Sequence, residues 1–437
     1  MKIKAAILWE RGQPLSVEDA ELDPPGPGEV LVEVKAAGVC HSDLHPARGD
    51  WPLRTPLALG HEGAGIVREV GAGVTRLTPG DHVVFCWAPA CGVCPSCAEG
   101  RAVLCDRLDR TTYRNRLPSG AVRLHARGQD IAHFLSTACF ASHVVVAEEG
   151  AVVVGREGRD AVMGGEGVMG GESVMVGEAD GNDADGNDAD GNIPFDALAT
   201  LGCAVVTGVG AVLAAAKVPR GARIAIIGAG GVGLNVAQGA VIAGCERIIA
   251  IDRHRAPLDI ARRFGATDVV EIQAADGPPQ GGPHVGNGPP RGGAHVNADG
   301  PSKAGPHVGL ADQVKSLTGG RGAHFVFDTV GTPGTLADAL AATRKGGTVV
   351  LTGLSRIDAV GNVQMFPLVM QEKKLIGSAY GSGRPTEDIV RLVDWYRQGR
   401  LKLRELVSRT YTLAEINDAL GALEASAGAR GIILPEA

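Results

Sequence analysis

A glycine-rich turn between a strand-like run and a helix-like run constrains the fold of this chain most strongly. The turn is Gly228-Ala-Gly230-Gly-Val-Gly233, and it follows the apolar run RIAII. A helix is predicted from about Val232 to Ala243, and a second strand, RIIAI, ends at Asp252. The glycine pattern alone is weak, but within a strand–turn–helix–strand unit it is the fingerprint of a nucleotide-binding parallel sheet. The sequence therefore predicts a doubly wound α/β domain.

The same unit indicates which nucleotide would bind. The glycines allow the backbone to approach a pyrophosphate at the helix N-terminus. The Asp252 carboxylate is expected to accept hydrogen bonds from the adenosine ribose hydroxyls. It would repel a 2′-phosphate, which favours NAD over NADP, and the neighbouring Arg253 keeps the alternative open. A glycine-rich turn in an α/β domain that binds no nucleotide is the competing interpretation.

Four cysteines are clustered in the run CGVCPSCAEGRAVLC, at Cys91, Cys94, Cys97 and Cys105. Two consecutive C-x-x-C steps and a fourth thiol suit a tetrahedral structural zinc. Glycine and proline between the cysteines indicate an exposed loop, which argues against a chance cluster in the core. A nucleic-acid-binding zinc module is disfavoured because no basic surface surrounds the cluster.

A second group of ligand-type residues lies nearer the N-terminus, on backbone that we expect to be a loop. It begins at Cys40, after the strand-like run VLVEV, and continues with the pair His61 and Glu62. A thiol and an imidazole suit a catalytic zinc that keeps one position open for substrate. The candidate third ligand is Cys203, which lies at the junction between the strand-rich N-terminal part and the part in which strands and helices alternate. A ligand there would place the metal in a cleft between two domains.

The secondary-structure signals divide the 437 residues into two parts. Residues 1–150 show many short strands separated by turn signals, which is typical of a β-barrel or sandwich. From Ala204 onward, strands and helices alternate. Two low-complexity inserts, at about 157–190 and 275–308, carry Asp-Gly-Asn and His-Val repeats that are not expected to pack. Weak cation binding by these repeats is the alternative.

Charge and hydrophobicity exclude several classes of partner. The net charge of −7 offers no general attraction to nucleic acid or to anionic membranes. No apolar run is long enough to span a bilayer, and the N-terminus is not expected to be a signal peptide. The nine cysteines are clustered rather than spread as a disulfide framework. This clustering indicates metal binding in a reducing compartment, and we expect the protein to be cytoplasmic.

Several motifs occur together in the order of one known family. GVCHSD, GHEGAG, the four-cysteine loop, LGC followed by TG, and GAGGVG resemble the zinc-dependent medium-chain alcohol dehydrogenases. Within that family the chain most resembles the NDMA-dependent, nicotinoprotein-like actinobacterial type. The resemblance implies a GroES-like β-barrel catalytic domain over 1–204, a Rossmann domain over 205–379 and a return to the catalytic domain over 380–437. It also implies a homodimer or homotetramer.

Residue by residue, the resemblance implies a catalytic zinc held by Cys40, His61 and Cys203. Glu62 would lie behind the metal and coordinate it transiently. The implied catalytic residues are Asp43, which orients the histidine ligand, Ser42, which bonds the substrate oxygen, and His45, the outer end of a proton relay.

The resemblance also assigns positions that contact the cofactor. His41 and Arg430 match positions near the pyrophosphate, and His41 departs from the arginine found in some members. Thr207 and Val232 match positions that pack against the nicotinamide. These positions add to the glycine turn and Asp252 as expected NAD contacts.

The implied function is reversible hydride transfer from a primary or secondary alcohol to NAD, which yields an aldehyde or ketone. Two alternatives lie within the family: a thiol-adduct formaldehyde dehydrogenase, and a nicotinoprotein with permanently bound NAD and an external acceptor. Two lie outside it: a zinc-free reductase of the same superfamily, and a non-enzymatic metal-binding protein that uses the repeats. The sequence does not name the alcohol.

Overall fold

The computed structural model describes residues 1–157, 193–272, 309–425 and 428–435. The Asp-Gly-Asn and His-Val repeats lie outside these ranges.

The strands in the described ranges are β1 (Lys2–Leu8), β2 (Ser16–Leu22), β3 (Glu29–Gly38), β4 (Leu57–Ala58), β5 (Glu62–Val70), β6 (Asp81–Phe85), β7 (Leu124–Ala126), β8 (Gln129–His133), β9 (His143–Ala147), β10 (Ala151–Arg156), β11 (Arg223–Ile227), β12 (Arg247–Asp252), β13 (Asp268–Glu271), β14 (Ala323–Asp328), β15 (Thr343–Leu351), β16 (Lys374–Gly377), β17 (Val407–Thr412) and β18 (Arg430–Leu434). The α-helices there are α1 (His41–Arg48), α2 (Pro95–Ala98), α3 (Phe195–Ala199), α4 (Ala204–Gly210), α5 (Gly231–Ile242), α6 (Arg255–Arg263), α7 (Leu310–Leu317), α8 (Pro333–Ala342), α9 (Met365–Met370), α10 (Pro385–Arg397) and α11 (Ile416–Glu424).

The N-terminal part is built from two β layers. Strands β1, β2, β7, β8 and β4 close a small barrel, and the second sheet has the order β10-β6-β5-β3-β18-β17. The long strand β3 pairs with β9 near its start and with β18 near its end. Because β17 and β18 come from the end of the described chain, that segment completes the sheet of the N-terminal part. The predicted β-barrel is confirmed.

The second part is a six-stranded parallel sheet in the order β13-β12-β11-β14-β15-β16. Its central strands are continuous apolar runs such as RIAII, as expected for strands covered on both faces. The order reverses between β11 and β14, and ligands of such sheets bind beyond the carboxyl ends of the strands at this point. The predicted doubly wound sheet is confirmed, and the helix predicted from Val232 to Ala243 is α5.

The turn after β11 requires glycine, because its first and last glycines approach each other closely and the first has a positive φ. A Cβ atom at Gly233 would lie 1.9 Å from the Gly228 carbonyl oxygen, and Gly228 itself has a φ of +94°. Only glycine satisfies both conditions, so the first turn of α5 can start directly from the end of β11.

The expectation of loop backbone at Cys40 and the residues after it was wrong. Cys40 is the N-cap of α1, and the Asp43 side chain accepts a hydrogen bond from the Cys40 backbone N–H at 3.1 Å. The helix has only eight residues, contains Pro46 and has little apolar periodicity. Its stability therefore comes from capping and burial rather than from a pattern visible in the sequence.

Within the described residues, no single helix is long and apolar enough to cross a membrane. One bent pair, Phe195–Gly202 with Ala204–Ala215, passes the same test together by length and composition only, with an angle of 50° between its halves.

Candidate active site

Four ligand-type side chains from distant parts of the sequence meet in the interior. Cys40 caps α1, His61 precedes β5, Glu62 begins β5 and Cys203 caps α4. Their sulfur, nitrogen and oxygen ligand atoms all lie within 4.8 Å of one another, and all four residues are buried. The structure thus brings together the residues that the sequence placed at the catalytic metal.

One buried carboxylate organises this cluster. Asp43 is fully buried, and its Oδ1 accepts hydrogen bonds from the Gly60 backbone N–H and from His61 Nδ1, each at 3.1 Å. Its Oδ2 accepts from the Cys40 backbone N–H. Asp43 therefore fixes both segments and leaves His61 Nε2 as the ring nitrogen on the side of the thiols.

The atoms that face the centre of the cluster lack hydrogen bonds within the described part of the chain, and only Glu62 Oε1 has a longer ionic contact, to Arg430. His61 Nε2 and both Glu62 carboxylate oxygens are buried and make no hydrogen bond with the described residues. Buried polar atoms are rarely left unpaired, so an additional group is expected between them. Two thiols and one imidazole form a donor set that suits zinc, so the residues fit a zinc ion.

The electrostatics of the cluster depend on Arg430, which is 4% exposed. Its Nε lies 3.5 Å from Glu62 Oε1, and its Nη1 donates to the Val39 carbonyl at 2.9 Å. Burial raises the pKa of Glu62 to about 8, against the opposing attraction of Arg430. The hydrogen bond from Cys203, together with Arg430, holds the pKa of the Cys40 thiol well below its usual value.

The pKa of His61 is raised well above its usual value. Burial alone would lower this pKa, but the charge of Asp43 and its hydrogen bond to the ring outweigh the desolvation. The pKa of Cys203 is also raised well above its usual value, by the hydrogen bond with Cys40 and by burial.

The four-cysteine cluster forms a separate site. The ligand atoms of Cys91, Cys94, Cys97 and Cys105 lie within 4.8 Å of one another. The expected loop contains the short helix α2, and its N-cap, Cys94, donates its backbone N–H to Cys91 Sγ at 3.4 Å. Backbone N–H groups lower the pKa of Cys91 to about 6, which favours a thiolate. An all-sulfur donor set of this kind fits a structural zinc.

The glycine turn and Arg430 lie together at the start of α5. A Cβ atom at Gly231 would lie 2.8 Å from Arg430 Nη2, whereas one at Gly230 would meet no atom within 4 Å. An open backbone at a helix N-terminus with a guanidinium beside it is suited to a pyrophosphate. The residues present therefore fit a dinucleotide.

Asp252 ends β12 beside this turn. Its Oδ2 accepts a hydrogen bond from the Ala229 backbone N–H at 2.8 Å, and its Oδ1 accepts from the His254 N–H at 3.0 Å. The neighbouring Arg253 side chain is exposed. The carboxylate is thus held in a fixed direction at the edge of the turn.

The candidate nicotinamide contacts lie where α4 meets α5. Thr207 is 8% exposed, and its backbone N–H donates to the Cys203 carbonyl at 2.9 Å. A Cβ atom at Gly208 would lie 2.5 Å from the Val232 carbonyl oxygen, so the two helices are in close contact here. Thr207 and Val232 are therefore near both the buried cluster and the glycine turn.

The remaining candidates lie on α1. His41 is exposed, Ser42 is partly exposed, and His45 stacks on Trp51 with ring centroids 4.7 Å apart. His45 Nδ1 lies 3.3 Å from Asp50 Oδ2, and His45 Nε2 lies 3.2 Å from the Leu354 carbonyl oxygen.

Sequence reasoning missed the contacts that join α1 and the residues just after it to the segment after β15. Trp51 Nε1 donates to the Ser355 carbonyl at 3.0 Å, and Arg356 Nη1 lies 3.4 Å from Asp50 Oδ1. Together with the His45 contact to Leu354, they join residues 45–51 to residues 354–356. We name this set of contacts the cleft clasp. No local pattern in the sequence marks it, because its two halves are about three hundred residues apart.

Comparison with known proteins agrees with this geometry. Residues 26–156 match the model of the alcohol dehydrogenase GroES-like domain, and residues 294–398 match that of the zinc-binding dehydrogenases. The chain is 34% identical to the NDMA-dependent alcohol dehydrogenase of Amycolatopsis methanolica, over 100% of both chains. It is 31% identical to the S-(hydroxymethyl)glutathione dehydrogenase of Paracoccus denitrificans, over 99% of this chain and 100% of that protein.

Among solved structures, benzyl alcohol dehydrogenase from Acinetobacter calcoaceticus superimposes with a TM-score of 0.79 at 26% identity and covers 100% of both chains. These similarities extend over both the barrel part and the parallel sheet, so they confirm the resemblance stated from the motifs. The chain belongs to the zinc-dependent medium-chain alcohol dehydrogenase family, as an NAD-dependent oxidoreductase that acts on a small-molecule alcohol.

Proposed function

We propose that Cys40, His61 and Cys203 hold the catalytic zinc of this alcohol dehydrogenase, with Glu62 behind it. The observation that carries this assignment is the unpartnered His61 Nε2, which faces two buried thiols while Asp43 holds the opposite ring nitrogen. When bound, the metal supplies Lewis acidity, which lowers the pKa of a hydroxyl group that it contacts and polarises a carbonyl in the reverse direction.

The side chains on α1 then move the proton. Ser42 would accept the hydroxyl proton of the alcohol as it gives up its own, and the released proton would pass through a ribose hydroxyl of the cofactor to His45 and then to solvent. Support comes from their placement, because Ser42 is two residues from Cys40 and His45 lies one helical turn further along α1. Asp50 Oδ2 lies 3.3 Å from His45 Nδ1 and would hold the ring in this orientation during the transfer.

The cofactor is held by groups around the start of α5. Arg430 and His41 bind the pyrophosphate with the backbone of Gly228, Gly230 and Gly233, and Asp252 bonds the adenosine ribose next to Arg253. Thr207 and Val232 pack on the nicotinamide and direct it towards the buried cluster. When bound, NAD would supply the hydride acceptor, so that alcohol oxidation would yield an aldehyde or ketone.

Replacing a ligand tests the assignment. Cys40→Ala is expected to abolish alcohol oxidation while circular dichroism shows a folded protein. Cys245→Ala is the matched control, since Cys245 lies outside both clusters and should leave turnover unchanged. A Cys40→Ala enzyme with normal turnover contradicts the proposal.

This enzyme either exchanges NAD with solvent or, as a nicotinoprotein, keeps NAD permanently bound and uses an external acceptor. The cleft clasp favours the nicotinoprotein alternative, because its contacts join the barrel part to the parallel-sheet part and would resist the opening that cofactor exchange needs. Denatured extracts of purified protein would then contain one NAD(H) per chain.

A panel of aliphatic alcohols, aromatic alcohols and formaldehyde with a thiol decides between the alcohol and the thiol-adduct substrate.

We propose a homodimer, with a homotetramer as the larger alternative. Four apolar side chains of α9, which precedes the sheet-edge strand β16 in the chain, are 65–78% exposed. An apolar surface of this kind next to an unpaired edge suits a second copy of the chain. Phe366→Glu should lower the mass measured by light scattering, whereas Val390→Glu on α10 should not.

The domain division at 204/205 and 379/380 is proposed on the sheet topology, since β17 and β18 pair into the sheet of the N-terminal part. Limited proteolysis should release fragments near these boundaries.

The cytoplasmic location is proposed because none of the nine cysteines forms a disulfide bond, and a reducing compartment keeps cysteines in this state. Cell fractionation tests it. With a net charge of −7, we expect neither a nucleic-acid nor a membrane partner.

A further inference from the structure

Tyr380 lies in the short connection between β16 and α10 and is 3% exposed. Its hydroxyl donates a hydrogen bond of 2.5 Å to the Gly202 carbonyl oxygen. Gly202 directly precedes Cys203, so a side chain from a remote segment holds the peptide unit next to a proposed zinc ligand. Neither the motifs nor the assigned roles account for this contact.

The backbone around Tyr380 is strained. Tyr380, Gly381 and Ser382 have φ values of +49°, +78° and +58° in succession. Residues other than glycine rarely adopt this region, and they persist there only where the surroundings demand it. A Cβ atom at Gly381 would lie 2.3 Å from the Val206 carbonyl oxygen, so the strained turn is pressed against α4, the helix that Cys203 caps.

Cys203 itself has irregular backbone angles, with φ of −146° and ψ of −72°. The preceding residue is confined on two sides. A Cβ atom at Gly202 would lie 2.6 Å from the Phe85 carbonyl oxygen, and the Tyr380 hydroxyl holds its own carbonyl. The Tyr380 ring is held in turn by Trp87, with centroids 4.3 Å apart. The direction of the Cys203 thiol is therefore set by contacts and not by regular helix geometry.

We propose that Tyr380 is a positioning residue that directs Cys203 Sγ towards the catalytic zinc through its hydrogen bond to Gly202. This inference rests on the proposed function, which assigns Cys203 as a ligand. Without the hydroxyl, the Gly202 carbonyl is buried without its partner and the peptide before Cys203 can rotate. Loss of a group that orients a ligand typically weakens metal binding about 10- to 100-fold.

The test measures metal binding and not only turnover. Tyr380→Phe removes the hydroxyl and keeps the ring, and Tyr411→Phe is the matched control at a buried tyrosine in β17. In chelator competition, Tyr380→Phe should release one of its two zinc ions about 10- to 100-fold more readily than the wild type. In the cobalt-substituted protein, the thiolate-to-cobalt absorption should shift in Tyr380→Phe only.

A second variant, Tyr380→Leu, separates the hydroxyl from the packing of the ring. If both variants lose zinc to the same extent, the hydroxyl is responsible, as proposed. If Tyr380→Phe binds zinc as tightly as the wild type with an unchanged cobalt spectrum, or if only Tyr380→Leu loses zinc, the proposal is overturned. Failure of the ligand assignment is distinguishable, because the wild type and Cys203→Ala would then bind equal amounts of zinc.

Discussion

At the scale of single residues, Asp43 shows how one buried carboxylate supports the metal site. It receives three hydrogen bonds that join the Cys40 segment to the His61 segment. Asp43→Asn keeps an oxygen acceptor but removes the charge that fixes the protonated Nδ1 of His61. We expect zinc affinity to fall about 10- to 100-fold, measured by chelator competition. Asp50→Asn, which changes a carboxylate outside the cluster, is the control; equal losses in both variants would contradict this role.

Asp252 carries the expected choice of nucleotide. Its carboxylate is held at the edge of the glycine turn, where a 2′-phosphate would meet a like charge. Like-charge contacts cost several kcal/mol in binding, and each 1.4 kcal/mol is about tenfold. Asp252→Asn should therefore reduce the preference of kcat/KM for NAD over NADP by about tenfold or more. An unchanged preference would show that other groups select the nucleotide.

The ligand-type residues were predictable because metal sites need particular side chains at short spacings, as in the four cysteines and the Cys40–Glu62 stretch. Tyr380 and Trp51 were not predictable. Each acts through one contact with a segment far away in the sequence, and a lone tyrosine or tryptophan is indistinguishable from an ordinary buried residue.

At the scale of elements, the four-cysteine segment is a local module whose backbone N–H groups already bond its sulfurs. Its short helix α2 has no buried residue. Cys94→Ala should remove one zinc ion per chain and lower the melting temperature, because bound metal stabilises the fold that it requires. Cys86→Ala at a buried cysteine outside the cluster should leave the zinc content unchanged. An unaltered zinc content in Cys94→Ala would contradict the structural site.

The cleft clasp joins α1 and the residues just after it to the segment after β15. Trp51→Phe removes one hydrogen bond across the cleft while it keeps an aromatic ring against His45. One such bond contributes about 0.5–1.5 kcal/mol, so NAD(H) should dissociate about two- to tenfold faster, as followed by stopped-flow fluorescence. Trp395→Phe on α10 is the control. An unchanged dissociation rate would show that the clasp does not retain the cofactor.

Element prediction succeeded where the apolar pattern was strong and failed where it was absent. The apolar runs RIAII and RIIAI predicted two buried strands, and the glycine turn predicted the start of the helix between them. Helix α1 was missed because a polar eight-residue segment with an internal proline has no helical pattern. Its burial against the barrel and its cap at Cys40 exist only in the folded protein.

At the scale of the whole molecule, the proposed catalytic site needs the two parts of the chain together. Cys40 and His61 come from the barrel part, Cys203 caps the helix that packs against α5, and Arg430 returns from the C-terminal strand. The order of motifs predicted both folds, but the way the parts meet depends on side-chain packing that no motif encodes. Metal binding should therefore report on correct assembly.

The most direct measurement is the zinc content per chain of the wild type and of Cys203→Ala, each purified folded and freed of loosely bound metal. We predict two zinc ions in the wild type and one in Cys203→Ala, with no alcohol oxidation by the variant. Two zinc ions and normal turnover in Cys203→Ala would contradict a catalytic metal held between the two parts of the chain.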